Sequence, residues 1–238
     1  MAKNIGDIWS ADVAYAIGLL TSDGNLSKDG RHIEFCSKDQ ELVEVFCRSL
    51  RLSNRIGTKK RGTVPRKLYY RVQFGDVAFY SFLMSIGLKK NKSLILGPVM
   101  VPEGYFPDFL RGLVDGDGNI NVFKHPESKN PQLKVRVYSG SRVFLSALKE
   151  TIKKIYGLSG GCLIKIGRVS CLNYSKKDSI VLLKKIYYNS KVPCLARKHK
   201  IAEPFMQAGV AELAQAIALG AIGATLEGSN PPARTSNV

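Results

Sequence analysis

The sequence predicts an α+β fold built from two copies of one unit, helix, strand, strand, helix, strand, strand, helix, with an antiparallel sheet in each copy. Three observations predict it. AIGLLTSDGNL (residues 16–26) aligns with LRGLVDGDGNI (residues 110–120): each has a glycine inside an apolar run (Gly18, Gly112), an Asp five residues on (Asp23, Asp117), then Gly-Asn. Ser37 and Ser139 each close a strand-like stretch and open an amphipathic helix, and Asp76 and Asp178 each follow 39 residues later at the expected N-cap of a third helix. The eight extra residues of the second copy fall in FKHPESKNPQ, whose prolines and polar side chains suit a longer hairpin tip. The implied boundaries are a first repeat over 8–88, a linker over 89–105, a second repeat over 106–205 and a tail over 206–238.

The elements follow in order. Ser10 and Asp12 suit the start of the first helix, while Pro107 and Asp108 do the same in the second copy. Both helices carry a mid-helix glycine that costs about 1 kcal/mol relative to alanine. Small residues recur four apart (Ala14, Gly18, Ser22; Gly112, Gly116), leaving a bare stripe against which another backbone can lie. The amphipathic helices DQELVEVFCRSL and SRVFLSALKETIKKIY come next, then hairpins in RIGTKKRGTVPRKLYYRVQF and GGCLIKIGRVSCLNYS, then VAFYSFLMSIG and SIVLLKKIYY. Alternation in LYYRVQF and CLIKIGRV places Arg71 and Lys165 outward, with Lys59, Lys60, Arg61, Arg66 and Lys67 in the loops and Tyr69, Tyr70 and Tyr174 interleaved.

Composition narrows the function. The 238 residues include 36 Lys plus Arg against 19 Asp plus Glu, a net charge of +17 that attracts a polyanion, and nucleic acid is the leading partner class. Five cysteines without CxxC spacing indicate neither a zinc site nor a complete disulfide framework, which fits a reducing compartment. The first twenty residues are too polar for a signal peptide or a membrane span, so the protein is expected in the cytoplasm or nucleoid, or in an organellar matrix, not secreted and with no membrane partner.

The acids are the chemical centre. If the repeats pair about a pseudo-twofold axis, Asp23 and Asp117 emerge side by side, and two adjacent carboxylates call for a divalent cation between them. An EF-hand does not fit, because counting from Asp115 puts Ile120 where the loop needs Gly and Pro126 where it needs Glu. A plain helix stop explains Gly118 but not two matching acidic exits. Three histidines (His32, His125, His199) form no ligand cluster, which disfavours a histidine-based nuclease.

These paired segments resemble the signature helices of LAGLIDADG homing endonucleases in the monomeric, two-motif form. The resemblance implies an αββαββα unit used twice, two saddle-shaped sheets in adjoining major grooves of double-stranded DNA, and Mg²⁺-dependent cutting of both strands with short 3′ overhangs. Mn²⁺ or Ca²⁺ would substitute in binding. It assigns Asp23 and Asp117 as metal-binding acids, assisted by the backbone oxygens of Ser22 and Gly116, and Lys38 as the basic residue of the first half. Gly140 stands at the counterpart of Lys38, leaving Arg142, Lys165 or another cation for the second half. Thr21 replaces the earlier motif acid present as Asp115. Base readers would come from Asn25, Ser27, Lys28, Arg31, Arg66, Lys67, Arg71, Asn121, Lys124, Lys134, Arg136, Lys165, Arg168 and Asn173. Host intron RNA is a second partner class, because proteins of this fold also serve as maturases or as non-cutting regulators.

After Phe205 the basic character stops, and residues 209–238 hold two Glu and one Arg. GSNP can be encoded by GGT TCG AAT CCC and VAEL by GTG GCC GAG TTG, which resemble the T-arm and D-arm of a tRNA gene. The tail reads as a translated tRNA gene.

Overall fold

Two short helices lie against each other at the centre of the molecule, and the rest is arranged around them. The structure is a computed structural model that describes residues 9–61, 67–90, 92, 94–124, 126–127 and 130–207; the tail assignment therefore lies outside the described residues. The first helix, α1 (Ala11–Asp23), starts where Ser10 Oγ accepts from Val13 N at 3.2 Å. It is followed by β1 (Gly24–Leu26), β2 (His32–Ser37), α2 (Gln40–Ser49), β3 (Gly57–Arg61), β4 (Lys67–Gly75) and α3 (Val77–Ser85). A 3₁₀ turn (Glu103–Tyr105) leads into α4 (Phe106–Gly116), β5 (Gly118–Phe123), β6 (Gln132–Ser139), α5 (Arg142–Tyr156), β7 (Cys162–Ile166), β8 (Val169–Tyr174) and α6 (Lys176–Ile186). The doubled unit is thus present. A further helix, α7 (Ala196–Gln207), has no counterpart in the repeat.

Glycine sets the distance between α1 and α4. A Cβ on Gly18 would fall 2.2 Å from Phe109 O, and one on Gly112 would fall 2.2 Å from Tyr15 O. Only a missing side chain on each helix permits that approach, which is the use of the bare stripe. The seam is sealed by buried polar groups on one side. Arg111, fully buried, donates to Asp108 Oδ1 (2.6 Å), Ile186 O (2.8 Å) and Pro193 O (2.8 Å). Asp115 accepts from Tyr15 OH (2.9 Å), Tyr187 OH (2.8 Å) and Leu195 N (2.9 Å), which ties α4 both to α1 and to the segment after α6. Burial pushes the Asp115 carboxyl above its usual range, against the pull of Lys198. Thr21, at the equivalent place in α1, turns its hydroxyl back to Ile17 O at 2.7 Å and ties nothing across.

Among the described residues the strands form two antiparallel sheets, ordered β1-β2-β4-β3 and β5-β6-β8-β7. Helices cover one face of each. On that face Ile33, Phe35, Val72, Leu133, Val135 and Leu172 are fully buried, while Glu34, Arg71, Lys134 and Arg136 alternate with them on the open face.

Two expectations need correction. Asp76 caps α3 by accepting from Phe79 N at 2.9 Å, but Asp178 is not a cap: Ser175 occupies the N-cap of α6 and Asp178 lies in its first turn. Equal spacing from the preceding serines therefore does not keep the two copies in step. The outward set is also different from the expected one. Lys165 pairs with buried Ser170 and shares the Leu163 face of β7, whose open face carries Cys162, Ile164 and Ile166. Tyr174 is a core residue and Tyr70 packs on the core, so of the three tyrosines only Tyr69 shares the Arg71 face.

Candidate active site and nucleic-acid interface

The motif helices end together. Asp23 is the last residue of α1 and Asp117 the C-cap of α4, and both line one cleft of about 420 Å³ with Ser22, Lys92, Gly140 and Arg168. The glycine after each acid is needed for the chain to turn tightly into the strand. A Cβ on Gly24 would fall 2.5 Å from Leu20 O, and one on Gly118 would fall 2.4 Å from Val114 O. Asp23 is exposed, whereas Asp117 is partly buried and its carboxyl is pushed up by burial, with Lys92 and then Lys198 opposing.

Lys92 and Arg168 are the basic residues among those lining the cleft, and Lys92 is the one fixed against the motif helix. It comes from the segment between the repeats, is buried, and donates from Nζ to Ser22 O at 3.2 Å and to Gly24 O. Burial lowers its pKa to about 8, and Asp117 and Asp23 pull the other way. Lys198, from α7, is its partner in the second repeat. Its Nζ donates to Val114 O (2.8 Å), Asp115 O (2.8 Å), Gly116 O (3.3 Å) and Gly118 O (2.7 Å), and burial lowers its pKa to about 8. Each lysine thus donates to carbonyls at and just past the C-terminus of one motif helix and meets its dipole. The carbonyls of Ser22 and Gly116 are both held this way. Sequence reasoning missed both lysines. The signal was faint: a lysine beyond the third helix of each copy, in KKNK and LARK, hidden among 36 basic residues.

The other named residues spread over the interface. Lys38 is exposed, with its Nζ 5.8 Å from the centroid of the Tyr69 ring, and it is not among the residues lining the cleft. Neither cation named opposite Gly140, Arg142 or Lys165, lines the cleft; Arg168, expected only as a base reader, does, from the turn between β7 and β8. Lys28 and Arg31 are exposed at the β1–β2 hairpin tip beside Ser27, whose N donates to His32 O at 2.9 Å. Asn25, Lys67, Arg71, Asn121, Lys134, Arg136 and Asn173 lie on open strand faces, and Lys124 is exposed just past β5. Lys134 Nζ sits 4.7 Å from the Phe123 ring centroid. Arg66 lies outside the described residues. Among the described residues no group of three or more His, Cys, Asp or Glu is placed to hold a metal, so any cation here would rest on two carboxylates and other oxygens.

No family model matches the chain, and no curated protein does. Solved structures do. The homing endonuclease I-WcaI bound to its DNA recognition sequence matches with a TM-score of 0.59 at 12% identity, over 84% of this chain and 92% of that one. I-DmoI in complex with DNA and Ca matches with a TM-score of 0.53 at 15% identity, over 81% and 97%. Full-length DUF199/WhiA from Thermatoga maritima matches with a TM-score of 0.52 at 17% identity, over 92% and 70%. Likeness at these identities is likeness of fold, and the fold this chain adopts is the two-repeat LAGLIDADG architecture.

Proposed function

We propose that the chain is a LAGLIDADG homing endonuclease, which binds a long double-stranded DNA target through its two sheets and cuts both strands at the seam between the repeats. The observation that carries the reading is the meeting of Asp23, Asp117 and Lys92 in one cleft. Basic side chains on the flanking sheets suit the phosphate backbone, and two of the matched structures are homing endonucleases with DNA.

The residues fit Mg²⁺, which is usually held by one or two carboxylates together with substrate phosphate oxygens. Asp23 and Asp117 would hold it, with the carbonyl oxygens of Ser22 and Gly116 nearby. Bound there, the ion supplies Lewis acidity at the scissile phosphate. The chain's own residues do the rest. Lys92 spends two of its three N–H donors on the carbonyls of Ser22 and Gly24, which fixes the ammonium and leaves one donor for a phosphate oxygen as charge builds there. Arg168 brings a second cation to the cleft, and Lys38, just past β2 at the Asp23 end of the first sheet and outside the cleft lining, offers a third to the DNA backbone.

Monomeric action, short 3′ overhangs, an intron-encoded origin and a site of action in the cytoplasm, nucleoid or organellar matrix belong to the same proposal. Incubation of the full chain with Mg²⁺ and a randomised DNA library, followed by sequencing of cut ends, tests it. Recovery of one cut sequence supports the reading. Tight sequence-specific binding with no cutting in Mg²⁺ or Mn²⁺ would instead mark a DNA-binding protein, and rescue of intron splicing without cutting would mark a maturase.

A further inference from the structure

The pseudo-symmetry places residues of the two sheets in matching rows, and one row carries opposite charges. Two residues past Asp23, β1 presents Asn25 in register with Glu34 on β2, which is in turn in register with Gln73 on β4. Two residues past Asp117, β5 presents Asn119 in register with Arg136 on β6, which is in register with Asn173 on β8. Each row thus lies roughly 7 Å along the strand from its acid. The outer members are amides in both rows. The middle member is a carboxylate in the first sheet and a guanidinium in the second.

Both middle residues point to the open face, since Glu34 stands between buried Ile33 and Phe35 and Arg136 between buried Val135 and Val137. Both are also held in place. Arg136 Nε donates to Asn173 Oδ1 at 3.1 Å, and its guanidinium also hydrogen-bonds the Tyr138 side chain, which fixes its plane on the open face. Glu34 Oε2 accepts from Arg71 Nη1 at 3.0 Å, and its Oε1 lies 3.8 Å from Lys59 Nζ. Those two cations offset the cost of placing a carboxylate close to phosphates.

We propose that Arg136 reads a guanine in the second half-site, while Glu34 reads an amino-bearing base edge, cytosine N4 or adenine N6, at the equivalent position of the first. The target therefore departs from a palindrome at this pair of positions. The inference rests on the reading that the two sheets bind double-stranded DNA. Its chemical basis is the major-groove code, in which a forked guanidinium matches guanine O6 and N7 and a carboxylate can only accept.

The test is a binding selection from randomised duplex DNA with the full chain in Ca²⁺, so that cutting is not required, using the wild type, Arg136→Gln and Glu34→Gln, with a thermal melt of each variant to verify folding. Expected are a guanine at one position of one half-site and cytosine or adenine at its pseudo-symmetric partner. Arg136→Gln should cut the guanine preference about 10- to 100-fold at that position alone, with adenine gaining. Glu34→Gln should relax only the other position. The proposal is overturned if Arg136→Gln weakens all sequences equally, as loss of a phosphate contact would. It is equally overturned if Glu34→Gln alters only the base beside Arg71, which would make Glu34 a brace for that arginine. If the wild type enriches no DNA, the DNA-binding reading fails and this inference falls with it; enrichment without the paired preference sinks the inference alone.

Discussion

Lys198 donates to four backbone carbonyls around the end of α4, whereas Lys92, its partner at the end of α1, donates to two. An ammonium has three donors. Lys198 is therefore committed to the fold, and Lys92 keeps capacity for a substrate.

Substitution should separate those roles. Lys198→Met leaves several buried carbonyls unmet, at about 1.5–3 kcal/mol for a charged hydrogen-bond group, so the melting temperature should fall by roughly 5–10 °C. Lys92→Met should move the melting temperature less while lowering cleavage by about 100-fold or more with DNA affinity retained. Equal melting temperatures together with equal cleavage losses would show that the two lysines act alike.

Removal of either carboxylate should stop double-strand cutting. Asp23→Ala and Asp117→Ala are each expected to lower it at least about 100-fold and to leave binding largely intact in a gel-shift assay. Robust cutting by the double variant would remove the acids from the mechanism. Chelation by EDTA should abolish cutting by the wild type, with recovery on adding Mg²⁺.

The seam can be tested by volume. Gly112→Ala would push a Cβ to 2.2 Å from Tyr15 O, and the helices must separate or distort to admit it. A loss of about 1–3 kcal/mol is expected in urea denaturation. Gly104→Ala, where a Cβ would meet nothing within 4 Å, is the matched control and should be close to neutral.

Deletion of residues 210–238 should leave cleavage unchanged if the tail is translated tRNA sequence. The codons decide the origin directly, because a nucleotide sequence unable to form the T-arm stem and loop excludes it.

The doubled unit was legible because its cues are local. Ser10, Asp76 and Pro107 mark helix starts by chemistry acting within one turn, and the glycine stripe could be recognised from spacing alone. Asp178 failed as a cap because spacing was carried from one copy to the other across hairpins that differ in length. Lys165 failed because facing in a short strand depends on register, and a shift of one residue moves a side chain to the opposite face. Lys92 and Lys198 were out of reach for another reason. Each lies far along the chain from the carbonyls it caps, and nothing nearby in sequence distinguishes it from an exposed lysine.

The contact of Gly18 with Phe109 O and of Gly112 with Tyr15 O makes each motif helix the mould for the other. Because α1 and α4 differ in sequence, with Ile17 and Thr21 facing the tasks that Arg111 and Asp115 perform opposite, neither helix is a mould for a copy of itself. A chimera that grafts one repeat onto a foreign half would inherit a mismatched bearing surface. The smallest portable piece of this protein is thus the helix pair, and retargeting by exchange should transplant the sheets onto a seam left whole.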